Sequence, residues 1–296
     1  MGADPDRDGK PVESMVFTML IACVQTDVTF ASPEANLSRV VGHLEEAMGR
    51  GAELVVFPEC ALCGYSFESR EEAWAQAIGA DDGCFVTLAK LASRGPTHLT
   101  IGFLERDGDR LYNASALIGP QGVLGVYRKI HLPQMGVDRF VDRGDRPYRA
   151  FDTGAARVGM AICYDSSFPE PMRVLGLAGA DVIALGTNWP IAAERTALLV
   201  PPSRSMENHL FFAAANRVGT ERGFHFCGRS SICGPDGVVV ARCDHDRETI
   251  VYADIEPAEA RNKRIERTVG RHAIDRFGDR RPEFYGDLLR TDIDLG

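Results

Sequence analysis

Arg157-Val-Gly-Met-Ala-Ile-Cys163, followed by Tyr164-Asp165-Ser166-Ser167-Phe168-Pro169-Glu170, is the stretch from which the fold can be read. After Arg157, Val158–Cys163 form a short apolar run, the pattern of a buried strand. Pro169 suits the first turn of a helix, which the sequence predicts over about Pro169–Ala178. Asp181–Leu185 supplies the next apolar strand. Strand, helix and strand in succession make the crossover unit of an α/β protein. The first strand ends on a thiol, and strand ends are favoured positions for sites in such folds. A thiol near a helix N-terminus is expected to have its thiolate favoured by the helix dipole. Ser167-x-x-Glu170 also matches a capping box, so part of the motif could be structural.

The same alternation continues outward. Phe17–Thr26 and Glu53–Phe57 read as buried strands, the second stopped by Pro58. Between them Leu37, Val40, Val41, Leu44 and Met48 recur at helical spacing, ended by Gly49 and Gly51. Phe85, Leu88 and Leu91 suggest a helix closed by Gly95-Pro96. His98–Glu105 and Leu111–Ile118 flank Asp107-Gly108 as a hairpin, and Val123–Tyr127 follows after a turn. Glu194–Leu210 reads as mostly helical despite Pro201-Pro202. Phe211–Arg217, Phe224–Ile232, Val238–Arg242 and Thr249–Ile255 read as strands. Crossovers mixed with hairpins predict α/β layers with mixed sheets. No linker or repeat divides the chain, so residues 17–296 are expected to form one domain. The charged tail after Asn262 has no clear pattern. Residues 1–16 are polar without an apolar core, so they read as a disordered leader rather than a secretory signal, with Met15 or Met19 as possible true starts.

Composition narrows the function classes. The chain has 296 residues and a formal charge of −9. That balance disfavours nucleic-acid or anionic-membrane partners, which need a basic face. No apolar run approaches a membrane span. Eight cysteines in a chain of this length read as free thiols in a reducing cytoplasm. Cys60-x-x-Cys63 stands without a second pair, which makes a metal or redox role the minor alternative.

Two further segments place reactive side chains beyond buried strands. Leu54-Val-Val-Phe-Pro-Glu59 sets a carboxylate at the mouth of an apolar strand, where partial desolvation suits it to general-base work. Tyr127-Arg-Lys-Ile-His-Leu-Pro133 carries Lys129, or else is a solvated basic edge. His131 has no second ligand at zinc spacing nearby.

Glu59, Lys129 and Cys163, in this order and context, resemble the carbon–nitrogen hydrolase (nitrilase) superfamily. The resemblance covers roughly residues 17–290. It includes Ala22-Cys-Val-Gln25, Phe57-Pro-Glu59 with Gly64-Tyr65, Arg128-Lys-Ile-His-Leu132 and Ile162-Cys-Tyr-Asp165. Asn188-Trp-Pro190, Glu207-Asn208, Ala215-Asn-Arg-Val-Gly219 and Arg280–Tyr285 extend it. It implies a four-layer α-β-β-α sandwich with two mixed sheets, no cofactor and no metal. It also implies a homodimer or larger even homo-oligomer paired through helices beside the site.

By the resemblance, Cys163 is the nucleophile, Glu59 the general base and Lys129 the cationic stabiliser. The backbone N–H of Tyr164 is the natural second oxyanion donor. Relatives carry a further glutamate after the lysine. Asp138 stands at the matching stretch, and its alternative is a loop salt bridge with Arg139 or Arg143. Tyr65, Asn188 and Trp189 are expected to line the substrate pocket, which Lys129 is expected to make locally cationic. Tyr164-Asp165 after the cysteine, in place of the Trp-Glu of nitrilases, looks like the amidase and carbamoylase branches. Ser166 and Ser167 replace the arginines of relatives acting on N-carbamoyl-D-amino acids. The expected activity is cofactor-free hydrolysis of a small linear amide or N-carbamoyl compound, releasing ammonia. A nitrilase is the alternative among enzymes, and a non-catalytic partner-binding protein on the same fold is the alternative of another class.

Overall fold

The computed structural model describes residues 17–292, so the predicted leader at 1–16 lies outside the described residues. Two six-stranded mixed sheets carry the architecture. The first contains β1 (Met19–Gln25), β2 (Leu54–Val56), β3 (His98–Asp107), β4 (Arg110–Gly119) and β5 (Gly122–Arg128). The second contains β6 (Ala150–Asp152), β7 (Arg157–Ile162), β8 (Val182–Thr187) and β9 (Phe211–Asn216). A small pair, β10 (Thr220–Glu221) and β11 (Phe224–His225), precedes β12 (Ser231–Cys233) and β13 (Val239–Arg242), which complete the second sheet. β14 (Thr249–Ile255) then returns to the first, whose order is β14-β1-β2-β3-β4-β5. The second sheet has the order β13-β12-β9-β8-β7-β6. β1, β2 and β3 run parallel, as do β7, β8 and β9, so each sheet has a parallel centre with antiparallel edges.

Alternation along the strands stacks the layers. Ile21, Cys23, Leu54 and Val56 face the second sheet. Their neighbours Ala22, Val24, Val55 and Phe57 face α1 (Pro33–Gly49) and α3 (Gly83–Ala92), while α2 (Arg70–Trp74) lies between those helices in sequence. The second sheet is covered by α4 (Pro169–Leu177) and α5 (Glu194–Asn208), whose Met172, Leu175 and Ala197 join its core. Because side chains alternate with period two, each sheet presents one apolar face to its helices and one to the other sheet. The four layers α-β-β-α follow. α6 (Pro257–Arg261) and a hairpin, β15 (Arg264–Thr268) with β16 (His272–Asp275), occupy the tail that the sequence pattern left unplaced.

Two local expectations fail. The run expected as one strand, Phe224–Ile232, is broken between β11 and β12. Gly228 and Arg229 there adopt left-handed φ values of 66° and 63°, so the chain turns instead of extending. A Cβ at Gly228 would lie 2.8 Å from the His245 carbonyl oxygen. The capping box Ser167-x-x-Glu170 does not form either. A 3-10 turn over Cys163–Ser167 intervenes, and Phe168 caps α4 without a side-chain hydrogen bond. Among the described residues no helix is long and apolar enough to cross a membrane.

Candidate active site

The parallel strands β1, β2, β7 and β8 end on the same side of the sandwich, and the loops beyond them converge. Glu59 follows β2 through Phe57-Pro58, and its side chain is fully buried. The backbone here passes between two glycines of different sheets. A Cβ on Gly102 of β3 would lie 2.3 Å from Cys60 N, and one on Gly186 of β8 would lie 2.9 Å from Phe57 O. Only glycine lets the segment pass so close to both sheets.

Arg128 and Lys129 leave β5 in opposite directions. Arg128 is buried in a bidentate pair with Glu105, with Nε to Oε2 at 2.7 Å, and serves the fold. Lys129 points the other way. Its Nζ donates to Glu59 Oε1 and to Asp138 Oδ2, each at 2.6 Å. The segment is therefore no solvated basic edge. Asp138 sits on the 3-10 turn Gly136–Arg139 and pairs with Lys129, not with Arg139 or Arg143. Tyr65 OH donates to Asp138 Oδ2 at 2.8 Å, and the Tyr65 carbonyl accepts from Val137 N at 2.8 Å. A Cβ at Gly136 would strike the Tyr65 ring at 2.3 Å, so this turn too requires glycine.

Sequence reasoning missed Asn113. It stands in the middle of β4, and its Nδ2 donates to both Glu59 Oε1 (2.7 Å) and Asp138 Oδ1 (2.9 Å). One amide thus spaces two carboxylates around one ammonium. The available signal was a lone buried amide in the apolar run Leu111–Ile118, since such a group must find partners. Asp165 was also missed as an organiser. Its carboxylate accepts from Tyr127 OH (2.7 Å), Ile162 N (3.0 Å) and His131 Nδ1 (2.8 Å), tying the Cys163 turn to the Lys129 segment. Glu221 does the same for Tyr65, accepting from its N–H at 2.9 Å and from Arg217 at 2.8 Å.

Cys163 opens its 3-10 turn with a left-handed φ of 43°, a strained value for a residue with a Cβ. Its residue exposure is 8%. Tyr164 is half-exposed, and its N–H lies in the first turn of that helix, where such groups have no intrahelical partner. Asn188, just beyond β8, donates from Nδ2 to Glu59 O at 3.1 Å. It braces the Glu59 backbone. Trp189 is buried in the same apolar cluster as Cys163, with its backbone N–H donating to Asn216 Oδ1 at 2.8 Å.

The electrostatics differ from expectation. Burial pushes the Cys163 thiol up to about 12, and Glu59 adds to the rise, while Lys129, Thr187 and Asn188 oppose it. The thiol is not acidified, because the helix proper begins only at Pro169 and desolvation outweighs the nearby cation. Burial also raises Glu59 above the ordinary carboxylate range, against the pull of Lys129 and with reinforcement from Asp138. Burial would lower Lys129, but Asp138 and Glu59 overturn that and hold it well above its usual value. One ammonium faces two carboxylates, so the expected locally cationic pocket is not present. All four oxygens but one are engaged: Glu59 Oε2 is buried and has no hydrogen-bond partner. Among the described residues no group of three or more His, Cys, Asp or Glu side chains is placed to hold a metal ion.

Residues 20–265 match the model of the family described as carbon-nitrogen hydrolase. A nitrilase of Pyrococcus abyssi is 39% identical over 266 residues, covering 90% of this chain and 98% of that one. An N-carbamoylputrescine amidase of Arabidopsis thaliana is 29% identical, covering 98% and 100%. A solved structure of a variant of the amidase from Nesterenkonia sp. AN1, showing Michael addition of acrylamide at its active-site cysteine, superposes with a TM-score of 0.77. It is 25% identical and covers 92% of this chain and all of that one.

Proposed function

The chain belongs to the carbon–nitrogen hydrolase family, and we propose that it hydrolyses a small linear amide or N-carbamoyl compound through a thioester on Cys163. One observation carries this reading. Of the carboxylate oxygens around Lys129, only Glu59 Oε2 is without a partner. That supports Glu59 as the group that takes a proton, with Asp138, whose two oxygens are both engaged, as a second anchor for Lys129. A thiol pushed up to about 12 stays protonated at neutral pH. It becomes a nucleophile only as its proton leaves for a nearby base, and a carboxylate raised by burial is the better base for it.

In the proposed sequence Glu59 removes the thiol proton as sulfur attacks the amide carbon. Two of the three Lys129 N–H groups are engaged by carboxylates. The third is left for the developing oxyanion, beside the Tyr164 N–H. Glu59 returns the proton to the leaving nitrogen, ammonia or an amine departs, and a thioester remains. A water molecule, deprotonated by Glu59, then cleaves it and restores the thiol. The small exposure of Cys163 favours slender substrates, with Tyr65, Asn188 and Trp189 as the proposed walls. The acrylamide adduct on the Nesterenkonia cysteine supports a reactive thiol at the matching site.

A panel of amides, ureido acids and nitriles, assayed for ammonia release, tests the substrate class. Nitrile turnover without amide turnover would favour the second reading, which rests on the relative from Pyrococcus abyssi described as a nitrilase. Cys163→Ala should abolish turnover and leave the melting temperature nearly unchanged. Intact mass after quenching with substrate should place an adduct on Cys163 alone.

A further inference from the structure

Of the buried hydroxyls that have no hydrogen-bond partner, Thr187 is the one beside the proposed nucleophile. Thr187 ends β8, is fully buried, and its Oγ1 has no hydrogen-bond partner. Such a group is an expense to the fold, since a buried donor without an acceptor loses its bonds to water and gains nothing. Its position gives it a purpose. β7 and β8 run parallel with Ile162 opposite Gly186, so Cys163, where the chain leaves β7, and Thr187, the last residue of β8, are neighbours at the active end. The hydroxyl lies near enough to Cys163 to favour its anion, and the Asn188 N–H does likewise. In the structure Thr187 Oγ1 is close to the sulfur without making a well-aligned hydrogen bond to it.

Resting on the reading above, we propose that Thr187 is a catalytic donor for the Cys163 sulfur, unbonded while the sulfur is a thiol and donating to it once the proton has left. The charged groups facing the sulfur are Glu59, which opposes its anion, and Lys129, which favours it through charge. Glu59 repels a thiolate. Lys129 is drawn toward Glu59 and Asp138 by two bonds of 2.6 Å, with its remaining N–H assigned to the substrate oxygen. A direct hydrogen bond to the sulfur is then left to a neutral donor from another element, and β8 supplies it. A bond made only after deprotonation lowers the barrier without stabilising the resting state, which is the condition for raising kcat. The proton balance is unchanged: it passes from sulfur to Glu59, and Thr187 keeps its own.

Thr187→Val replaces the hydroxyl by a methyl group of the same shape, and Thr187→Ser keeps it. For Thr187→Val, kcat should fall about 10- to 100-fold, with KM changing far less. Alkylation of Cys163 by iodoacetamide, followed by mass spectrometry, should slow by a similar factor at neutral pH, its pH profile displaced upward. Thr187→Ser should restore both. The melting temperature of Thr187→Val should stay level or rise, because an unsatisfied buried group has been removed. Wild-type alkylation in Thr187→Val overturns the proposal, since the hydroxyl then does not act on sulfur. A fall in melting temperature that accounts for the lost activity overturns it as well. Undiminished turnover in Cys163→Ala refutes the thioester reading itself, whereas failure at Thr187 alone leaves that reading standing.

Discussion

Asp138→Asn tests whether the second carboxylate sets the strength of the base. Glu59 Oε1 and Asp138 Oδ2 each lie 2.6 Å from Lys129 Nζ, so these two oxygens are no more than about 5 Å apart. At an effective dielectric constant of about 20, two like charges at that distance repel by about 3 kcal/mol. At 1.36 kcal/mol per pH unit this corresponds to a rise of about two units that Asp138 imposes on Glu59. Removing the charge also leaves Lys129 to Glu59 alone, which acts in the same direction. The acid limb of kcat/KM, which reports groups of the free enzyme, should therefore move down by about one to two pH units in Asp138→Asn. The plateau should fall, because a weaker base takes the thiol proton less readily, by about 3- to 10-fold from base strength alone. The amide adds a second disturbance. Oδ2 accepts from both Lys129 and Tyr65 while Oδ1 accepts from Asn113, and an amide cannot accept at both ends. The measurement is kcat/KM from about pH 4 to 9 on any substrate the panel identifies. An acid limb that stays in place or moves upward would show that Glu59 does not feel Asp138, and the assignment of base and clamp would fall.

Two further substitutions probe the supports. Gly186→Ala would set a Cβ 2.9 Å from Phe57 O and 3.0 Å from Glu59 N. Overpacking of this kind costs about 1–3 kcal/mol, so the melting temperature should drop by several degrees and kcat by at least about tenfold; calorimetry and kinetics at wild-type values would refute the close-approach argument. Arg217→Met breaks a buried pair with Glu221 in which both side chains are almost wholly enclosed. It should cost about 3–5 kcal/mol in denaturant unfolding, and adding Glu221→Gln should recover part of the loss. An additive double variant would show that the two residues do not act as a pair.

Much of the layer pattern was legible because periodicity reports burial directly. β1, β2, β7 and β8, and helices α1, α3 and α4, lie within a few residues of the runs that predicted them. The failures fall where local pattern met a tertiary constraint. Phe224–Ile232 is apolar enough for a strand, yet it bends at Gly228 to pass His245. The capping box had the right residues, but the turn after Cys163 put Phe168 at the cap position. Glu59, Lys129 and Cys163 could be singled out because each follows a buried strand in a recognisable motif. Asn113 could not, since an amide inside a strand announces only that it needs partners and not which ones.

The sequence by itself determined the alternation of strands and helices, the mixed character of the sheets and the order of the three candidate side chains, Glu59, Lys129 and Cys163, along the chain. These depend on neighbours within a few residues, where hydrophobic period and turn chemistry act. Only the tertiary structure decided the state of those side chains. Lys129 is matched by two carboxylates, the thiol is raised and not lowered, and Glu59 Oε2 alone is left free. Charge interactions depend on distance and on the water removed around them, and both are set when residues 59, 113, 129, 138 and 163 arrive in one enclosed place from two different sheets.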